Sequence, residues 1–127
     1  FLESGEAYGG AWAFRVVIAA AWESFQQRFP IILGPVSARR MPHIGFDLSG
    51  PDATTQLWRD HRLLVAVNFL GLPSVAVPTG LDEDGLPTGI QLIAARDHDH
   101  VALAAGRDVE AALGVLTPIS PTRVAVS

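Results

Sequence analysis

A chain of 127 residues has the length of one domain, and a formal net charge of −4 with no basic run gives a phosphate backbone nothing to hold, so no nucleic-acid partner is expected. The absence of cysteine excludes disulfide scaffolds, thiolate nucleophiles and thiolate zinc sites. All nine basic residues are arginines, so no mechanism that needs a titratable lysine can be housed here.

Hydrophobic residues make up 49% and charged residues only 17%, which is apolar for so short a soluble domain. That balance points to a piece of a larger body with faces made to meet the rest; a greasy but complete domain is the alternative. No apolar run is long enough to span a bilayer, so no membrane partner is expected, and no charged-then-apolar leader is visible. The chain opens Phe1-Leu2-Glu3 without a methionine, and its true start is expected upstream.

Gly5, Gly9 and Gly10 read as a loose opening. Phe14, Val17, Ile18, Ala21, Trp22, Phe25 and Phe29 then recur at three- and four-residue steps, which predicts a helix over residues 11–29, ended by Pro30. The apolar run 31–33 predicts a buried strand. Residues 36–51, broken by Pro42, Gly45, Gly50 and Pro51, predict an irregular arm of the kind that is functional or packs on a neighbour. Asp52 or Thr54 can cap a second helix over 54–68, whose half 63–67 is apolar all round, as in a helix buried in a large body. Gly71 ends it and Pro73 prevents continuation. A strand over 74–77 is expected to stop at Pro78, and the polar run 81–87 carries an Asp-Gly turn signal before a strand over 89–94, giving a hairpin-like pair. Asp97 or Asp99 can cap a third helix over 101–113, closed by Gly114; the tail with Pro118 and Pro121 reads as irregular. The order predicts an α/β fold with part of a mixed β-sheet flanked by helices, no internal domain boundary, and a sheet that continues in further chain.

The chemistry tests are largely negative. No serine sits in a Gly-x-Ser-x-Gly elbow, and Ser74, inside an apolar run, reads as a buried, hydrogen-bonded hydroxyl. Asp97-His98-Asp99-His100 is the one dense ligand cluster, yet it stands where a helix begins, so capping outweighs metal binding. Gly5-x-x-x-Gly9-Gly10 lacks the lysine and hydroxyl of a phosphate loop. The acidic loop around Glu83 reads as solvated. No catalytic residue, metal site or cofactor is predicted.

The run Asn68-Phe69-Leu70-Gly71-Leu72-Pro73-Ser74-Val75-Ala76-Val77-Pro78-Thr79-Gly80, followed by Gly85-Leu86-Pro87-Thr88-Gly89-Ile90-Gln91-Leu92-Ile93 and a helix, resembles the C-terminal signature of the amidase family in order and spacing. Phe29-Pro30-Ile31-Ile32-Leu33-Gly34-Pro35 resembles the family's strand ending in proline, with Pro30 where members often carry Asp. The resemblance implies that Asn68, Gly71, Pro73, Pro78, Gly80, Gly89 and Gln91 are structural signature positions. Asn68 would cap nearby backbone, Gly89 would allow close approach, and Gln91 would bridge strands. It implies a parent that hydrolyses carboxamides through an acyl-enzyme, using a serine, a second serine in a cis peptide and a neutral lysine, none of which carries over to these residues. The implied partners are the missing N-terminal part of the amidase and, for the whole enzyme, a small-molecule amide; a homodimer over the apolar faces and a cytoplasmic location are further expectations. His61 stands near the place where glutamine-directed members carry an acidic substrate ligand, which makes it the candidate substrate-binding residue and argues against a glutaminyl substrate. The arm 36–51 is a second pocket candidate. The alternative is a free-standing α/β binding or interaction domain.

Overall fold

The computed structural model describes residues 5–114. In chain order it holds α1 (Gly5–Gln26), β1 (Ile31–Pro35), a 3-10 turn (Phe46–Leu48), α2 (Pro51–Asp60), α3 (Arg62–Leu70), β2 (Ser74–Leu81), β3 (Pro87–Ala94) and α4 (Asp99–Leu113). The tail with Pro118 and Pro121 lies outside the described residues. No described helix is long and apolar enough to cross a membrane.

The three strands lie in the order β1-β3-β2, and both pairings are antiparallel. Alternation along a strand divides the sheet into two faces. Val75 and Val77 of β2 meet Gly106 of α4, where an added Cβ would stand 3.1 Å from Val75 Cγ1. On the other face a Cβ at Gly34 would overlap Leu63 Cδ2 of α3. The sheet is therefore covered by α4 on one side and α3 on the other. Gly106 and the buried Ala102 let α4 settle close to the strands, and Leu70, Leu92, Ile93 and Ala94 are at most 2% exposed. The α/β class with helices flanking one sheet is thus present.

Several boundaries differ from the sequence reading. α1 starts at Gly5, absorbing Gly9 and Gly10, and Tyr8 and Trp12 pair edge-on one turn apart at 6.2 Å, a contact that offsets part of the glycine cost. The helix ends at Gln26 rather than Phe29. Arg28 N–H has already moved to a tighter bond with Phe25 O (3.1 Å), so the chain leaves the α conformation before the residue that precedes Pro30. β1 runs on through Gly34-Pro35. Neither Asp52 nor Thr54 caps α2. The cap residue is Gly50, with Pro51 in the first helical turn, and the Thr54 hydroxyl donates back to Asp47 O (3.1 Å) and Gly50 O (3.2 Å). The expected single helix over 54–68 is two helices broken at His61, and within its apolar half Leu64 and Val65 are more than a third exposed.

β2 does not stop at Pro78. Pro78 pairs with Gly89, and a register shift between Pro78 and Gly80 carries the strand to Leu81. Proline is tolerated because β2 is an edge strand among the described strands, and Gly80, at φ 142°, makes the bulge. α4 is not capped by Asp97 or Asp99: the cap residue is His98, without a side-chain bond to the helix, and Asp97 takes a left-handed φ of 63°. Ser74 is exposed at the mouth of β2, not buried, because the edge strand leaves its outer positions uncovered.

α1 shows the largest departure from a closed domain. Phe14 and Val17 are each 65% exposed and Phe25 51%, while the buried residue of this helix is Gln26. Gly106→Val is expected to lower the unfolding free energy by about 1–3 kcal/mol by driving α4 off Val75, as urea denaturation of the chain will measure.

Candidate functional site

α2 ends at His61, whose side chain folds back on the helix. Nδ1 lies 2.9 Å from Leu57 O, and His61 N–H donates to the same carbonyl at 3.1 Å. A carbonyl only accepts, so the proton is on Nδ1, and Nε2 is left to accept from a ligand when the ring is neutral. The break also turns Asp60 O toward the arm, where it accepts the Ala38 N–H at 2.8 Å. Backbone pairing thus brings the start of the arm to the helix junction.

The result is a cleft of about 470 Å³, lined by Val36, Ser37, Arg39, Arg40, Met41 and His61 on one side and by Asp82 and residues 86–89 of the hairpin on the other. A second hollow of about 340 Å³ shares Ser37, Arg39, Arg40 and His61 and adds Pro42, His43 and Phe46. His61 and the arm, separate pocket candidates in the sequence, therefore meet at one place, together with Gly89.

A clasp that sequence reading missed closes the cleft. Arg40 Nε and Nη2 both donate to Asp82 Oδ2, at 2.8 and 2.7 Å, and Arg40 Nη1 pairs with Asp84. Asp82 Oδ1 accepts the N–H groups of Asp84 (3.0 Å) and Leu86 (2.9 Å). The acidic loop is therefore not simply solvated: it fixes its own turn with one oxygen and the arm with the other. The Leu86 N–H, and after it the Arg40 guanidinium, hold the Asp82 carboxyl below its ordinary value against a desolvation effect of opposite sign. Asp82 and then Asp84 push the Arg40 guanidinium up. No local signal marks this pairing, since the partners are 42 residues apart.

The other signature positions lie outside the cleft. Asn68 is exposed, and its side chain makes no hydrogen bond among the described residues; its carbonyl instead accepts the Gly71 N–H at 3.0 Å. Gly71, at φ 68°, reverses the chain, and Pro73 O accepts the Ala94 N–H. Gln91, 2% exposed, donates from Nε2 to Pro35 O at 3.0 Å and so joins β3 to β1. A Cβ at Gly89 would stand 3.1 Å from Val77 O, so the two backbones lie close there. His98 and His100 stack at 5.7 Å, but His98 Nδ1 is engaged with Arg96 O, and among the described residues no three His, Asp or Glu side chains converge as metal ligands.

Residues 3–103 match the family model described as Amidase. An indoleacetamide hydrolase of Bradyrhizobium japonicum is 37% identical over 97 residues, which is 76% of this chain and 21% of that protein. A glutamyl-tRNA(Gln) amidotransferase subunit from Lachnospira eligens is 33% identical over 100 residues, 79% of this chain and 20% of its own length. Among solved structures, one from work on the evolutionary origins of an s-triazine catabolic enzyme superposes with a TM-score of 0.68 at 30% identity, covering 90% of this chain and 25% of that one. A 6-aminohexanoate cyclic dimer hydrolase complexed with substrate shares the fold at 23% identity and a TM-score of 0.67. The chain spans about a fifth of the length of the curated relatives it matches.

Because the folded Asp82 carboxyl titrates low, its contribution to the clasp is full above the ordinary carboxylate pKa near 4 and is lost as pH falls through the depressed folded value. Asp82→Asn is expected to remove that acid sensitivity, read as the pH dependence of hydrogen exchange at the Leu86 amide.

Proposed function

This chain belongs to the amidase family, and from that premise we propose that it forms the C-terminal part of an enzyme that hydrolyses carboxamides through a serine acyl-enzyme. The observation that carries this reading is a contradiction in the sequence itself: residues 3–103 match the family, yet the 127 residues contain no lysine. A serine, a second serine in a cis peptide and a neutral lysine form the reactive set that the resemblance implies. A neutral lysine serves as base only where its surroundings lower its pKa, and arginine offers no substitute. The catalytic set then belongs to the N-terminal and central part of the protein, and the present residues supply the supporting sheet and one wall of the substrate cleft.

The exposed apolar stripe of α1 supports the same reading, since a free-standing binding domain would bury it. The missing N-terminal part is the natural cover. A homodimer is the alternative cover.

In the cleft, His61 is the residue assigned to the substrate. Its Nε2 accepts a hydrogen bond and carries no fixed negative charge, so it does not provide the carboxylate that would hold an ammonium group. That favours an amide whose remaining part is apolar or aromatic, of the kind named by the indoleacetamide hydrolase relative, over glutamine.

The purified 127-residue chain is expected to hydrolyse neither indole-3-acetamide nor glutamine; steady ammonia release that co-purifies with the chain would overturn the assignment. In the whole enzyme, His61→Ala is expected to raise KM roughly 2–10-fold with little change in kcat, the effect of losing one ligand hydrogen bond, as steady-state kinetics will show.

A further inference from the structure

Among the described residues, the segment 39–44 is hydrogen-bonded to the rest of the fold at one point. Before it, the Ala38 N–H donates to Asp60 O at 2.8 Å; after it, the 3-10 turn begins with Phe46 N–H on His43 O at 3.1 Å. Between these bonds the Arg39 N–H stays local, on Ser37 Oγ at 3.3 Å. The bonds that reach across the fold are those of the Arg40 guanidinium to Asp82 and its pair with Asp84. Packing adds little hold, since Met41 and Ile44 are exposed. A hollow lies on each side of the segment: Arg39 and Arg40 line both the His61 cleft and the second hollow of about 340 Å³. The segment therefore has room to move, and Gly45, at φ 82°, gives its far end a residue free to change conformation.

The two halves of the clasp are unequal. Asp82 is fixed with or without Arg40. Its Oδ1 accepts from the Asp84 and Leu86 N–H groups, and its own N–H donates to Leu86 O at 2.8 Å. Arg40 has no such support, and its side chain and that of Asp84 are both more than half exposed. An exposed ion pair is weak and is screened by salt. When the clasp parts, the acidic turn stays and the segment 39–44 leaves. A weak contact that is the single tie of a segment with space on both sides acts as a latch. Arg40, Met41 and Asp82 are also walls of the cleft, so parting widens the way to the half-buried His61.

We propose that residues 39–44 form a strap over the His61 cleft, latched by Arg40 on Asp82 and Asp84, and that small molecules reach His61 when the latch parts. Exchange through the cleft then quickens with ionic strength even for an uncharged ligand, which no long-range field steers. As a control on substrate entry the strap rests on the assignment of His61 to the substrate; its test does not.

Diethyl pyrocarbonate, small and uncharged, reports on the latch in the 127-residue chain. It acylates a neutral imidazole nitrogen, and His61 presents Nε2. No lysine competes for it. His98 and His100, both exposed and outside the cleft, are internal references at about pH 8, where an ordinary imidazole is neutral. From about 0.01 M to about 1 M NaCl the screening length falls from about 30 to about 3 Å. Over that range the rate at His61, relative to His98 and His100, is expected to rise roughly 2–5-fold, the bias that an exposed ion pair exerts. Arg40→Ala, or Arg40→Gln should the first variant lose the native spectrum, is expected to show the raised rate at every salt concentration. Asp84→Asn, which leaves the Asp82 turn intact, is expected to show part of the rise. A relative rate at His61 that ignores salt, or that the folded Arg40 variant leaves unchanged, overturns the proposal. So does a salt response that persists in that variant. An unchanged KM in His61→Ala would remove the substrate from the cleft and leave these rates as they are.

Discussion

The C-terminal end of α3 ties the molecule together. A helix leaves its last four carbonyls without partners inside the helix. Here all four are taken: Val67 O by Leu72 N–H, Asn68 O by Gly71 N–H, Phe69 O by Arg15, and Leu70 O by both Arg15 and Arg96. The first two bonds form a Schellman turn, which requires the left-handed conformation that Gly71 adopts without a Cβ penalty. The two guanidiniums arrive from α1 and from the segment after β3, and they stand at the negative end of the helix dipole. One helix terminus therefore fixes where α1 docks, where β2 begins and where β3 ends. Pro73 O can meet the Ala94 N–H because Gly71 has already turned the chain.

The His61 cleft inherits its shape from that anchor. With β2 launched at Ser74 and β3 paired along it, the hairpin loop has one place to lie, and Asp82 presents its carboxylate there to Arg40. Two residues before Arg40, the Ala38 N–H holds the start of the arm on Asp60 O. An exposed ion pair contributes little to stability, so the clasp acts mainly on position. It keeps the arm against the hairpin and leaves His61 at the floor. The break between α2 and α3 serves the same end, because an unbroken helix would use Asp60 O internally and leave Ala38 N–H without its partner.

What could be read in advance was what local chemistry decides. Gly71 followed by Pro73 stops a helix in any surroundings, and the Asp-Gly turn with its flanking apolar runs gives the β2–β3 hairpin. The features that escaped depend on partners far along the chain. The break at His61 needs Ala38 from across the fold, since nothing in Asp60-His61-Arg62 forbids a continuous helix. Arg40 and Asp82 each look solvated until the fold joins them. Pro78 stops a strand that needs its N–H, but not an edge strand that bulges at Gly80. Gln26 did leave a signal: it sits one turn beyond Trp22 and two beyond Ile18, on an apolar stripe where a polar side chain has to be explained.

α1 then poses a question of polarity. Arg15 must face the end of α3, and that contact sets the rotation of the helix about its axis. Gln26 lies about three full turns later, so it falls on the same side as Arg15, and Ile18, Ala19 and Trp22 fall between them. These are the positions that the chain covers wholly or in part. Phe14, Val17, Ala21 and Phe25 form a second stripe at helical spacing, turned away from the sheet and exposed. A helix apolar on two sides suits a place between two bodies. One body is the fold described here, met at the end of α3 through Arg15. The other has to be the more apolar of the two, because the stripe that awaits it carries the larger aromatic surface. The polar side of α1, with Arg15 and the buried Gln26, is thus the one turned inward, and its greasy side is the one left exposed.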